Sequence, residues 1–272
     1  MMQTCDLESI TLTRRATPAR TKAVSLPEAA AWFAGERHSD RPESVSGVLI
    51  ATATVLGDRL PFAKRQRLKR FVPALVGTAD DGKDRMRSML AMDWLVRVYT
   101  PAWLRLVPSL ALAAASLTEH TPVRAVAEAA DAIEAPLTAV HRVAWNAHLG
   151  RAAPAPNAVR TDVASALARA LSTHAGDAAV AATLGIAEPF LPVCGRLRLA
   201  AEQALLIAAL TSGRATATVP EARIATLVAP TGDALEDAVV GLFGRLIDGS
   251  APTVRGWLDA DPVEAIRRLG PG

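Results

Sequence analysis

Asp93 lies mid-helix among Met89, Leu90, Met92, Trp94, Leu95 and Val96, where a carboxylate is costly to bury unless it is paired. Arg97 follows four residues later, the spacing that puts two side chains on one helical face, so a salt bridge within the helix is one reading of the pair. The other is a carboxylate in a partly apolar pocket with a raised pKa, suited to proton transfer or to holding a ligand amine. His38-Ser39-Asp40 supplies a second group, able to form an acid–base or ligating cluster with Asp84 or Asp93, or to mark a helix entry that Asp40 merely caps. The candidate catalytic residues are Asp93, His38 and Asp40. The candidate ligand contacts are Asp93, Trp94, Arg97, Tyr99 and His38.

Other charged stretches invite different chemistry. Lys64-Arg65-Gln66-Arg67-Leu68-Lys69-Arg70 would form a basic helical face opposite Leu68, Phe71 and Val72, making Lys64, Arg65, Arg67, Lys69 and Arg70 the candidate nucleic-acid contacts. No helix-turn-helix pair surrounds the run, so a solvated face, or one meeting a nearby acidic run, competes with phosphate binding. Asp80-Asp81-Gly82-Lys83-Asp84 resembles a metal loop, but it enters a helix at once and no closing Glu follows at the calcium-loop offset. Helix capping by these acids is the simpler reading. His141, Trp145 and His148 share a face at a spacing that suits packing better than chelation from one helix. Neither a metal site nor a cofactor is expected. HExxH, GxSxG, GxGxxG and Walker patterns are absent.

The elements that must position these residues read as helices throughout. Half of the 272 residues are hydrophobic but only 4% aromatic, with alanine prominent, a composition that leans helical. Ser25 and Glu28 in S-L-P-E form a capping box for a first helix that Gly35 stops, and Asp40-Arg41-Pro42-Glu43 predicts a second box. Val45, Val48, Leu49, Thr52, Val55 and Leu56 then share one helical face. Pro61 starts a helix that Pro73 should kink and Gly77 end, and Thr78 or Asp80 should cap a long helix to Tyr99, with Pro101 restarting or kinking the chain. Pro136 should bend or divide the helix opened at Thr121-Pro122, and a helix is expected from Asp233 to Ile247. No alternating strand pattern appears, and the predicted fold is all-α, a multi-helix bundle or irregular helical array. Residues 1–24 read as a flexible basic tail, 25–150 and 159–272 as two helical halves able to pack as one domain, and the Pro/Ala-rich 151–158 as a linker.

Charge and cysteine usage bound the setting. The net charge of +3 divides unevenly: residues 1–110 hold 17 Lys/Arg against 11 Asp/Glu, and the remainder holds 13 against 16. Such asymmetry can orient an anionic partner. Cys5 and Cys194 are far apart and offer neither a disulfide framework nor zinc spacing. With no apolar run long enough for a membrane span, a cytoplasmic protein is expected, with homo-oligomerisation left open.

HSDRPESVS, LPFAKRQRLKRFVPALVGTADDGKDRMRS, LAMDWLVRVYTPAWL and DALEDAVVGLFGRLIDG together resemble a family of uncharacterised actinobacterial all-helical proteins, over about a third of the chain. The resemblance implies a helical fold and brings no activity with it. Three functions follow from the residues: a helical module binding a protein or small ligand through the 38–106 block; an enzyme of unfamiliar type using Asp93 and His38; and non-specific nucleic-acid binding through the 64–70 face, against which the missing reading helix argues.

Overall fold

The computed structural model describes residues 6–149, 190–211 and 221–249. The expected linker at 151–158, the helices expected between 161 and 185, and the one expected from Asp261 lie outside them. Within the described residues the fold is all-α, its only strands being a two-residue parallel pair, β1 (Thr11–Leu12) and β2 (Ala23–Val24).

The pair corrects the expectation of a loose tail. Ile10, Leu12 and Val24 are buried in the main core. Gln66 clamps the segment further, its side-chain oxygen accepting from Leu12 N at 2.9 Å and its nitrogen donating to Leu12 O at 2.9 Å. A few isolated apolar residues among arginines and threonines carry no periodic signal, so the sequence hid this anchor.

Helix α1 (Leu26–Phe33) opens with the expected capping box: Glu28 N donates to Ser25 Oγ and the Glu28 carboxylate accepts from Ser25 N at 2.7 Å. The second box does not form. Glu36 instead accepts the backbone N–H groups of Glu43 and Ser44, and α2 (Gly47–Arg59) begins later, capped by Ser46. Val48, Leu49, Thr52 and Leu56 of α2 are buried, with Val45 just before it, as their spacing predicts. The helix expected from Pro61 is broken into α3 (Phe62–Gln66), a 3-10 turn (Arg67–Phe71) and α4 (Val72–Leu75). Pro73 falls at the start of α4, where its missing N–H costs nothing.

Helix α5 (Asp84–Trp94) runs through a π-helical stretch (Leu95–Tyr99) directly into α6 (Thr100–Leu104). Pro101 has no N–H to donate, and its ring would crowd the preceding turn of an α-helix. The widened turn, in which Thr100 N donates to Leu95 O, takes up that misfit. Short α7 (Ala111–Thr118) leads to α8 (Val126–Leu149), which stays one helix through Pro136. Helices α9 (Phe190–Thr211) and α10 (Glu221–Asp248) complete the described chain; α10 likewise passes through Pro230, so the segment expected from Asp233 to Ile247 is the later part of one longer helix. Helix α9 packs on α8 and α6, and α10 packs on α5, α2 and α4. One hydrophobic cluster therefore draws side chains from both halves. Among the described residues no helix is long and apolar enough to cross a membrane.

Candidate functional site

The last turn of α5 places Asp93 with no exposed surface. One carboxylate oxygen accepts from Val123 N at 2.8 Å, and the other faces the Arg97 guanidinium at 3.5 Å. A buried carboxylate needs such partners. Asp93 thereby ties α5 to the loop preceding α8. The Trp94 and Tyr99 rings lie tilted against each other with centroids 5.9 Å apart, and Tyr99 meets Trp103 edge-on at 6.2 Å. The structure thus brings Asp93, Trp94, Arg97 and Tyr99 together, but as buried packing. Arg97, the most exposed of the four, retains 9% of its surface.

His38 belongs elsewhere. Its Nε2 lies 2.8 Å from Thr17 O and 3.2 Å from the buried Glu28 carboxylate. Both are acceptors, so Nε2 carries the hydrogen in this arrangement. Glu28 also accepts from Thr17 N and Ser25 N. His38 therefore helps pin the 17–25 segment to α1, and its contacts run to Thr17 and Glu28 rather than to Asp93. Asp40 is exposed and caps no helix. Burial pushes the neighbouring Glu36 carboxyl upward, but the Ser44 hydroxyl and the N–H groups of Glu43 and Ser44 outweigh it and hold the group below the ordinary carboxylate value.

The basic run meets protein rather than solvent over much of its length. Lys64 Nζ contacts Asp233, Glu236 at 3.1 Å and Asp237 at 3.7 Å on α10, and Arg67 pairs with Asp237. Arg65 is buried and donates to Gly57 O at 2.9 Å, while Arg70 lies 4.7 Å over the Phe71 ring. The break into a 3-10 turn at Arg67 spreads the run over several directions. The single continuous basic face expected from the sequence is absent, and its acidic counterpart is 233–237 rather than 80–84. Burial lowers the pKa of Lys64, but bonds to Asp233 and Glu236 override it and leave it raised. Glu236 is also raised, because burial and repulsion from Asp233 and Asp237 exceed the pull of Lys64.

The capping expected of the 80–84 acids is not seen: no side chain caps α5, and Asp81 and Asp84 bind Arg87 instead. Arg87 is fully buried, and its Nη1 and Nη2 form a two-pronged contact with Asp81 while Nη1 also donates to Asp84 at 2.8 Å. Its Nε donates to Leu246 O at 2.9 Å, and Lys83 Nζ donates to Asp248 O, so this cluster holds the C-terminal end of α10. Ser46 Oγ donates to Asp84, linking α2 to the same group. The Arg87 hydrogen bonds are the chief reason the Asp81 carboxyl is held below its usual range. Among the described residues no group of His, Cys, Asp and Glu is arranged to hold a metal ion.

The open space near the expected site is one step outward from Asp93. A cavity of about 420 Å³ is lined by Gly82, Arg85, Met86, Met89, Leu90, Val123 and Arg124. Met86, Met89, Leu90 and Val123 make its apolar wall, while Arg85 and Arg124 are exposed and have no ion-pair partner among the described residues. Asp93 anchors Val123 from behind, so the buried carboxylate shapes this wall without facing the space. Sequence reading found Asp93 but missed the lining. The methionine pair at i and i+3 was a usable signal; the approach of Val123 and Arg124 across some thirty residues was not. Comparisons of the chain with protein-family models, with curated proteins and with solved structures find no match.

Proposed function

We propose that the chain is a helical binding module whose ligand is a small amphipathic anion, held between the first turns of α5 and the loop before α8. The observation that carries this reading is the cavity described above. Its volume, about 420 Å³, falls in the range of small-molecule sites. Its apolar wall suits a hydrocarbon or aromatic body, and methionine adapts to irregular shapes. Arg85 and Arg124 can meet a carboxylate or sulfonate with charge-assisted bonds. Large exposed apolar side chains offer less for a protein partner: among the described residues Phe33, Phe62, Leu112, Trp145 and Leu199 stand on five different elements, and scattered single residues of this kind are ordinary.

Anilinonaphthalene sulfonate, an aromatic body with an anionic head, is a suitable probe. The folded protein should bind it saturably. Met89→Trp should fill the cavity and abolish binding, and Arg85→Ala with Arg124→Ala should weaken it while leaving the helical circular dichroism intact. Decanoate should displace the probe and decanol should displace it less well. Probe binding unchanged in Met89→Trp, or equal displacement by the acid and the alcohol, would overturn the assignment.

A further inference from the structure

A second cleft, of about 630 Å³, opens between the segment after β1 and the last turn of α2, lined by Thr13, Arg14, Arg15, Asp58 and Arg59. Its walls are brought close by Gly57. A Cβ at that position would stand 3.3 Å from Arg14 O and 3.7 Å from Thr13 O, so the absence of a side chain lets the 13–14 backbone lie against the helix. Arg65 stands behind this wall, 95% buried in terms of its 5% residual exposure, with Nη1 on Gly57 O. Burial lowers the Arg65 pKa first, and the Arg14 charge lowers it further, with Asp58 alone acting in the other direction.

The arrangement concentrates positive charge beyond what the fold requires. A helix C-terminus favours a cation, and Arg65 already satisfies the Gly57 carbonyl there. Arg14 and Arg15 are surplus to that need: both are exposed, and neither has an ion-pair partner among the described residues. Arg14, Arg15 and Arg59 thus line the cleft beside Asp58, and Arg65 lies close enough to feel the charges of Arg14 and Asp58. The buried Nε of Arg65 has no hydrogen-bond partner either. Crowded like charges of this kind cost stability unless an anion relieves them. Planar guanidinium forks match phosphate oxygens two at a time, and the cleft has room for more than one phosphate.

We infer that this cleft binds a small molecule bearing linked phosphates, with Arg14 and Arg15 as its principal contacts. The site is separate from the apolar cavity and uses none of its residues. Pyrophosphate is the probe, titrated calorimetrically at fixed physiological ionic strength, with sulfate and chloride as comparisons and a short DNA duplex as a second arm. Saturable pyrophosphate binding is expected, weakened at least about tenfold in the Arg14→Ala, Arg15→Ala double variant. Circular dichroism should show the exposed substitutions leave the helices intact. Arg85→Ala should leave pyrophosphate binding unchanged, which separates this site from the amphipathic-anion pocket. Binding no tighter than that of sulfate, or equal binding by the double variant, would overturn the inference. A duplex that binds through the same arginines more tightly than pyrophosphate at that salt would overturn it too, assigning the cleft to a nucleic-acid backbone.

Discussion

Replacing Asp81 with Asn tests how the first half of the chain holds its last described helix. Arg87 has no exposed surface, and two of its three bonds to carboxylates go to Asp81. A hydrogen bond to a charged group contributes about 1.5–3 kcal/mol. Asn keeps the shape and one acceptor oxygen, and Asp84 still offsets the guanidinium charge, so the loss is about one such bond plus part of the charge pairing. We expect Asp81→Asn to cost about 2–3 kcal/mol. Arg87→Met should cost about 3–5 kcal/mol, because it strips the cap from Leu246 O and leaves two carboxylates without their cation. Urea unfolding followed by circular dichroism measures both. The pH dependence supplies a second check. The Asp81 pKa is depressed in the fold, so its contribution is present above the unfolded carboxylate value and is lost as pH falls through the lower folded value. The gap between the wild type and Asp81→Asn should therefore hold at neutral pH and close below about pH 4. A gap under about 0.5 kcal/mol at neutral pH, typical of an exposed pair, would refute the buried-clamp argument.

Asp93→Asn should lower stability, by up to about 3–5 kcal/mol if Arg97 is left uncompensated, and should loosen probe binding through the Val123 wall; unchanged melting with unchanged binding would contradict both roles. Lys64→Met should destabilise the α3–α10 contact chiefly above the carboxylate range, since Asp233, Glu236 and Asp237 then repel without a common counter-charge, and adding salt should recover part of the loss. Gly249→Ala should cost at least about 1 kcal/mol, because the residue has a left-handed φ of 61° and the new methyl would meet a Lys83 methylene; a melting temperature equal to wild type would show that α10 can end differently.

The helices with strong local signals were legible from the sequence. Ser25 and Glu28 announce α1 because a capping box is made within one turn, and the face from Val45 to Leu56 is periodic within α2. What escaped was decided by partners far along the chain. Glu36 reaches forward to the 43–44 backbone and cancels the second box, and Lys64 and Arg67 find their acids about 170 residues later. Asp93 was recognisable as a paired buried acid from Arg97 alone, yet the pairing with Val123 N that gives it a place beside a cavity has no local trace. His38 misled for the same reason: a histidine next to Ser39 and Asp40 suggests local chemistry, while its ring is engaged by Thr17 and Glu28.

The clamp on Leu246 O also has a consequence for how the chain is made. Arg87 and Leu246 are 159 positions apart, and Lys83 and Asp248 are 165 apart. During synthesis the first half emerges with Arg87, Lys83 and Lys64 already in place but without α10 to receive them. Contacts of such sequence separation form late and slow the search for the native state. The early chain should therefore linger as a partly assembled set of helices, open to chaperones and proteases, until α10 leaves the ribosome and docks. A nascent chain arrested before residue 221 should be cut far faster by protease than one carried past residue 249 with enough tether to fold.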